Sequence, residues 1–127
     1  MEKVFDKQYL IRRIKNGIVL AAFSEGEPVG IFIADKLYGG ISYGVWLIVD
    51  SNFQGRGIGE SLLKHWEDEV KKQGGHGLKL EADKRNVEYY KKMGFRLVGL
   101  EKKSYYGLDE YVFQKTIAQP KEENFFK

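Results

Sequence analysis

Val49-Asp50-Ser51-Asn52-Phe53-Gln54-Gly55-Arg56-Gly57-Ile58-Gly59 decides how this chain is read. The stretch follows the β-like run Trp46-Leu47-Ile48-Val49 and opens an amphipathic helix, so it is a glycine loop aimed at a helix start. Such a loop suits an anion. The first N–H groups of a helix have no intrahelical acceptor, the helix dipole adds positive charge there, and glycine lets a phosphate approach the main chain.

The residues after the loop support that placement. Leu62, Leu63, Trp66 and Val70 recur at helical spacing on one face, while Glu67/Lys71 and Asp68/Lys72 are expected as i,i+4 pairs on the other. Gly74 and Gly75 stop the helix. No Ser, Thr, Asp or Asn stands immediately before Glu60 to cap the first N–H groups, and a ligand phosphate would satisfy them.

Spacing excludes two other glycine loops. Gly-x4-Gly-Lys-Ser/Thr, the loop of nucleoside triphosphatases, has no match, and the third small residue of a dinucleotide fingerprint starting at Gly55 would fall on Glu60. What fits is Gln/Arg-x-x-Gly-x-Gly/Ala, met by Gln54, Gly57 and Gly59. Downstream, beyond a strand-like Leu78-Lys79-Leu80-Glu81-Ala82, Tyr90-Lys91-Lys92-Met93-Gly94-Phe95 matches Tyr-x-x-x-Gly-Phe. On these two motifs, in this order and separation, the chain resembles the Gcn5-related N-acetyltransferase (GNAT) superfamily.

Composition bounds the alternatives. With 127 residues, 43% apolar and 14% aromatic, the chain suits one compact domain, expected over 1–118, with a polar tail over 119–127. It has no run of about 18 apolar residues and no charged-then-apolar leader, so a cytoplasmic protein without a membrane span is expected. Zero cysteines remove disulfides, thiolate metal sites and a thiol nucleophile, and two histidines, His65 and His76, are too few for a metal cluster; no metal is expected. His65 is expected on the exposed side of its helix. The net charge of +3 and pI near 9.0 suit an anionic ligand, but acids and bases are interspersed, so no nucleic-acid partner is expected.

Patterning predicts a helix from Lys3 to Lys15 ended by Asn16-Gly17, then an antiparallel meander of Ile18–Phe23, Val29–Asp35 and Ile41–Val49, with a bulge at Gly44. After the glycine-loop helix come a strand over Leu78–Ala82, a short helix over Val87–Met93, and a final strand pair over Phe95–Lys102 and Tyr111–Ile117. The fold class is therefore α/β (α+β): a mixed, mostly antiparallel sheet flanked by helices. This order is similar to the GNAT fold from its second strand onward. Family members usually begin with a further strand and helix, so the expected fold lacks the usual first strand. That leaves the acceptor side open or dependent on a second subunit, a possible homodimer.

The resemblance implies a chemistry. The cosubstrate would be acetyl-CoA, its pyrophosphate held by main-chain N–H groups of Gln54, Gly55, Arg56, Gly57, Ile58 and Gly59, and its pantetheine arm laid along Leu47-Ile48-Val49 where two strands splay. A primary amine would attack the thioester directly through a tetrahedral intermediate, with a backbone N–H near the bulge stabilising the oxyanion. A lysine-like amine with pKa near 10.4 is neutral in only about one molecule in a few thousand at pH 7, so a base is needed. Glu81 is the first candidate, followed by Asp35 and Asp50. Tyr90 occupies the position of the family's acid for the departing thiolate, and Tyr89 is expected in the core. The family's usual Asn, seven residues before its tyrosine, is Asp83 here; Asn86, four before Tyr90, is retained as a cosubstrate contact, and Asp83 and Asn86 are also candidate helix caps.

The acceptor stays open. Lys103-Ser104-Tyr105-Tyr106 with Asp109-Glu110 resembles the tyrosine-rich segment of peptide N-terminal acetyltransferases, and equally fits an aromatic strand end on the core. Peptide N-termini, lysines, polyamines and amino-acid-like metabolites are all candidates. A coenzyme A-binding sensor without turnover is the alternative function.

Overall fold

The structure, a computed structural model, describes residues 8–14 and 17–120, with side chains described from Gly17 onward. Seven strands form one sheet in the order β1-β2-β3-β4-β5-β7-β6. These are β1 (Gln8–Ile14), β2 (Gly17–Ser24), β3 (Glu27–Asp35), β4 (Ile41–Val49), β5 (Gly77–Ala82), β6 (Arg96–Glu101) and β7 (Glu110–Thr116). Among the described residues, two α-helices, α1 (Ile58–Lys72) and α2 (Val87–Lys92), accompany the sheet. Among the described strands the β4–β5 pair is parallel and the other neighbouring pairs are antiparallel.

One expected element is of the wrong type. The helix read over Lys3–Lys15 is a strand wherever the structure describes it, at residues 8–14; the rest of that span lies outside the described residues. Tyr9, Ile11 and Ile14 make only an imperfect helical face, and pairing along all of β2, from Gln8↔Phe23 to Ile14↔Gly17, gives these residues the hydrogen bonds of a sheet instead. Asn16-Gly17, read as a helix stop, falls where β1 gives way to β2. The other expected strands and helices are present to within two residues at each end. Of the tail read over 119–127, residues 121–127 lie outside the described residues.

Helix α1 lies across β2, β3 and β4 and buries Ile58, Leu62, Leu63, Trp66 and Val70. Burial of side chains this size is worth about 1.5–3 kcal/mol each. Trp66 meets Phe32 of β3 at 4.6 Å between ring centroids and Phe95 at 6.3 Å, and Phe95 in turn meets Tyr90 of α2 at 5.8 Å. Both helices therefore share one face of the sheet and one aromatic core. The opposite face of β3 and β4 carries Ile31, Trp46 and Ile48, with Trp46 and Ile48 more than half exposed at 51% and 58%.

The polar side of α1 differs from its expected pattern. Glu67 is buried rather than solvated, because Lys115 of β7 reaches it at 2.9 Å and Lys64 at 3.0 Å. Burial pushes its carboxyl up, and the bonds and charges of Lys115 and Lys64 outweigh that, leaving it below the usual carboxylate range. Lys71 reaches Glu67 as expected, but Asp68 pairs with Lys64 at 3.4 Å. His65 is half-buried, its Nδ1 2.9 Å from the Ser61 carbonyl oxygen, rather than on the open side.

Trp66 Nε1 donates to Ser42 Oγ at 2.9 Å, and Ser42 Oγ donates to the Asp35 carbonyl at 3.2 Å, joining α1, β4 and β3 through a fully buried hydroxyl. Ser42→Ala strands the indole N–H. It should cost about 1–3 kcal/mol, seen as a lower urea midpoint with an unchanged slope of the transition.

Candidate active site

Pairing between β4 and β5 lasts four residues, from Ile41↔Gly77 to Gly44↔Leu80. Beyond it β4 runs on to Val49 paired only with β3, and β5 runs on to Ala82 paired only with β7, so the two strands fork. The bulge expected at Gly44 sits at the fork: Ile33 faces Trp46 and Ala34 faces Gly44, which leaves Val45 as the extra residue. Gly44 sits against the aromatic core: a Cβ there would lie 3.0 Å from Trp66 and 3.1 Å from Phe32, and both rings would have to give way by a few tenths of an ångström.

From the end of β4 the chain enters a turn capped by Asp50, whose Oδ1 accepts from the Asn52 amide at 2.8 Å. The Gln54 side chain donates back to the Val49 carbonyl at 3.2 Å, and Arg56 lies over the Phe53 ring at 5.2 Å. Gly57 caps α1 in the left-handed region (φ 79°), a conformation that favours glycine, and brings no side chain to the helix end. Ser61 N–H is bonded to the Gly57 carbonyl, so the amides of Ile58, Gly59 and Glu60 are the ones a helix leaves without an internal acceptor. At Gly59 a Cβ would come 2.8 Å from the Tyr89 hydroxyl, so that the end of the Tyr89 side chain would have to shift.

A cleft of about 560 Å³ opens at this point. Leu47, Val49, Gln54, Gly55, Gly57, Ile58, Gly59, Asn86 and Tyr90 of the sequence-predicted cosubstrate set line it, joined by Phe53, Glu60 and Tyr89. Ile48 and Arg56 do not line it: strand alternation turns the Ile48 side chain to the other face of the sheet, and the Arg56 side chain lies over the Phe53 ring. Tyr89, expected in the core, reaches the start of α1. Both it and Tyr90 pack partly against the core. Asp83 caps the turn before α2, its Oδ1 accepting from the Arg85 amide at 3.0 Å, and its bond with Arg85 keeps its carboxyl low.

Tyr90 is held edge-on by Phe95 and Tyr89 and lies 5.7 Å from Phe113. Burial, followed by the charges of Tyr89 and Asp83, pushes its phenol up to about 12, so at neutral pH it is a hydrogen-bond donor and not a base. Tyr89 is also raised, by burial and then by Glu60. Glu81 is the first residue of β5 past the fork. Leu80, paired with Phe113, faces the helices, so alternation turns Glu81 to the opposite face of the sheet. The two other base candidates are placed elsewhere: Asp50 is occupied as a cap, and Asp35 lies at the end of β3 remote from the glycine loop, opposite Gly17.

Sequence reasoning missed Tyr89, Phe53 and Glu60 as lining residues. Glu60 was legible as a first-turn residue, whereas the reach of Tyr89 depends on how α2 docks. Among the described residues no group of three or more His, Cys, Asp or Glu is placed to hold a metal ion, and no helix is long and apolar enough to cross a membrane.

A family model for the acetyltransferase (GNAT) domain matches residues 1–107. The chain belongs to the GNAT family. Similar solved structures share the GNAT fold. An aminoglycoside 6'-N-acetyltransferase complexed with coenzyme A is 23% identical, with a TM-score of 0.75 over 83% of this chain and 75% of that one. The ribosomal-protein-S18-alanine N-acetyltransferase from Escherichia coli is 22% identical, with a TM-score of 0.76 over 90% and 77%. An aminoglycoside 6'-acetyltransferase type Ii is 28% identical, with a TM-score of 0.72 over 83% and 72%. No curated protein sequence matches the chain.

The high phenol pKa in this GNAT site has a direct readout. With ¹³C at tyrosine Cζ, the Tyr90 resonance, assigned by its loss in Tyr90→Phe, should stay flat from about pH 6 to 10; an inflection near 10, the ordinary value, would show an unburied hydroxyl.

Proposed function

We propose that this protein transfers an acetyl group from acetyl-CoA to a primary amine by direct attack. The observation that carries the reading is the continuity of three features: uncapped amides at the start of α1, the cleft beside them, and the stretch of β4 beyond its fork from β5, whose Leu47 and Val49 line that cleft. A diphosphate suits the first, and an extended arm with its own amides suits the free edge of β4. The neighbour solved with coenzyme A supports the same ligand class here. Bound acetyl-CoA would supply a thioester whose carbonyl carbon accepts the amine.

The residues then divide the work. The amides of Gly57, Ile58 and Gly59 hold the diphosphate, and β4 from Leu47 to Val49 aligns the arm. A main-chain N–H at the Val45 bulge stabilises the oxyanion. Glu81, on the far face of the fork, takes a proton from the incoming ammonium, directly or through water. The new C–N bond forms at the carbonyl carbon, the nitrogen gives up its second proton to water as the C–S bond breaks, and sulfur leaves with the electron pair and takes up a proton from solvent as the free thiol. Tyr90 donates a hydrogen bond to that sulfur. Full transfer from a phenol near 12 to a thiolate whose acid has a pKa of about 8.5 is uphill, so its help is mainly electrostatic. The net reaction releases one proton per ammonium acetylated.

Two outcomes test the reading. Gly57→Val should bind acetyl-CoA at least about tenfold more weakly by calorimetry while staying folded, because a side chain at φ 79° strains the loop and screens the amides; equal affinity would place the ligand elsewhere. Tyr90→Phe should bind normally but acetylate a panel of peptides and small amines about 10- to 100-fold more slowly by free-thiol release, at or below the low end of acid assistance. Binding without turnover of any amine would make the protein a coenzyme A-binding module.

A further inference from the structure

Behind the fork, three strands bring carboxylates together on the face away from the helices. Glu81 of β5 faces Val112 of β7, and Glu110 lies two residues along β7, a diagonal neighbour on the same face. Glu101 of β6 is directly opposite Glu110. Glu81 Oε2 is buried and has no hydrogen-bond partner among the described residues. A buried carboxylate oxygen left without a donor is costly, and it calls for one.

We propose that Glu110 is a positioning residue for acetyl transfer: its carboxyl shares one proton with Glu81 across β5 and β7, so an acceptor ammonium meets a hydrogen-bonded carboxyl–carboxylate pair. This rests on the role given above to Glu81. Two carboxylates this close do not both ionise readily, and the proton is retained by whichever site is more stabilised as the neutral form. Glu110 is that site. Its hydrogen bond to Glu81, then burial, then the charges of Glu81 and Glu101 push it up to about 7. The groups facing the pair are Tyr43 of β4, Glu101 of β6 and Tyr105 of the β6–β7 connection, with Lys79 exposed on the same face of β5. Tyr43 is itself raised, by burial and then by Glu81, so it stays neutral and can donate.

The sign follows. Below pH 7 the pair carries one negative charge, with Glu110 donating to Glu81. Above it the pair carries two, which attracts a cationic acceptor more strongly.

The test has two arms. First, ¹³C-carboxyl titration of the free protein should show one glutamate inflecting near 7; Glu110→Gln should delete it, and Glu81→Gln should return Glu110 to the ordinary carboxylate range. Second, kcat/KM is measured with spermidine, n-butylamine or a lysine-containing peptide, whichever turns over fastest, for the unaltered protein and for Glu110→Gln. The ratio of the two cancels the ionisation of the amine and of Tyr90. It should rise at least about threefold between pH 6 and 8, with its midpoint near 7. Ordinary carboxyl titrations, a Glu110 titration indifferent to Glu81→Gln, or a flat ratio would each overturn the proposal. A coupled titration in a protein that acetylates no amine would instead defeat the acetyltransferase reading, and the role of Glu110 with it.

Discussion

The packing of Trp66 on Gly44 is the contact on which the rest depends. The indole ring occupies the space a side chain at residue 44 would need, and its N–H is anchored on Ser42 two residues earlier. This pins the start of β4 under α1, beside β5. One residue later the bulge at Val45 re-aims β4, and its pairing with β5 ends. A sheet that continued its ladder here would be more uniform and would have no slot. The fork is thus bounded by a close-packed aromatic junction, where a change of even one methyl group is felt.

From that junction the two faces of the sheet acquire different chemistry. The helix face carries the glycine loop, the start of α1 and the phenols of Tyr89 and Tyr90. The far face carries Glu81, Glu110 and Glu101 beside Tyr43. Hydrogen-bond donors for an anionic ligand therefore stand on one side of the fork, and carboxylates for a cationic amine on the other. Alternation along β5 makes the division: Leu80 belongs to the core, and Glu81, its neighbour, cannot.

Much of the helix face was legible in the sequence, because a glycine loop before an amphipathic helix is a local signal. Gln54, Gly57 and Gly59 state the turn, and Leu62, Leu63, Trp66 and Val70 state the face that docks. The bulge was announced by Gly44. What sequence could not supply were facts of register and docking. Glu110 is near Glu81 only because β7 enters between β5 and β6, a placement nothing in its own neighbourhood encodes. Glu67 reads as a solvated member of an i,i+4 pair until Lys115, 48 positions further along, is brought to it by the same strand order. The strand at 8–14 was missed because its apolar residues fit two periods poorly, and only its partner β2 resolves the choice.

The central claim is that the glycine loop and the forked strand form one coenzyme A site. Titrating acetyl-CoA into ¹⁵N-labelled protein tests it most directly. The account predicts the largest amide shifts at Gly55, Gly57, Ile58, Gly59 and along Leu47–Val49, with β1 and β2 little changed. Shifts centred instead on the smaller hollow of about 280 Å³ between Lys64, Glu67, Phe95 and Lys115, with the glycine loop silent, would contradict it.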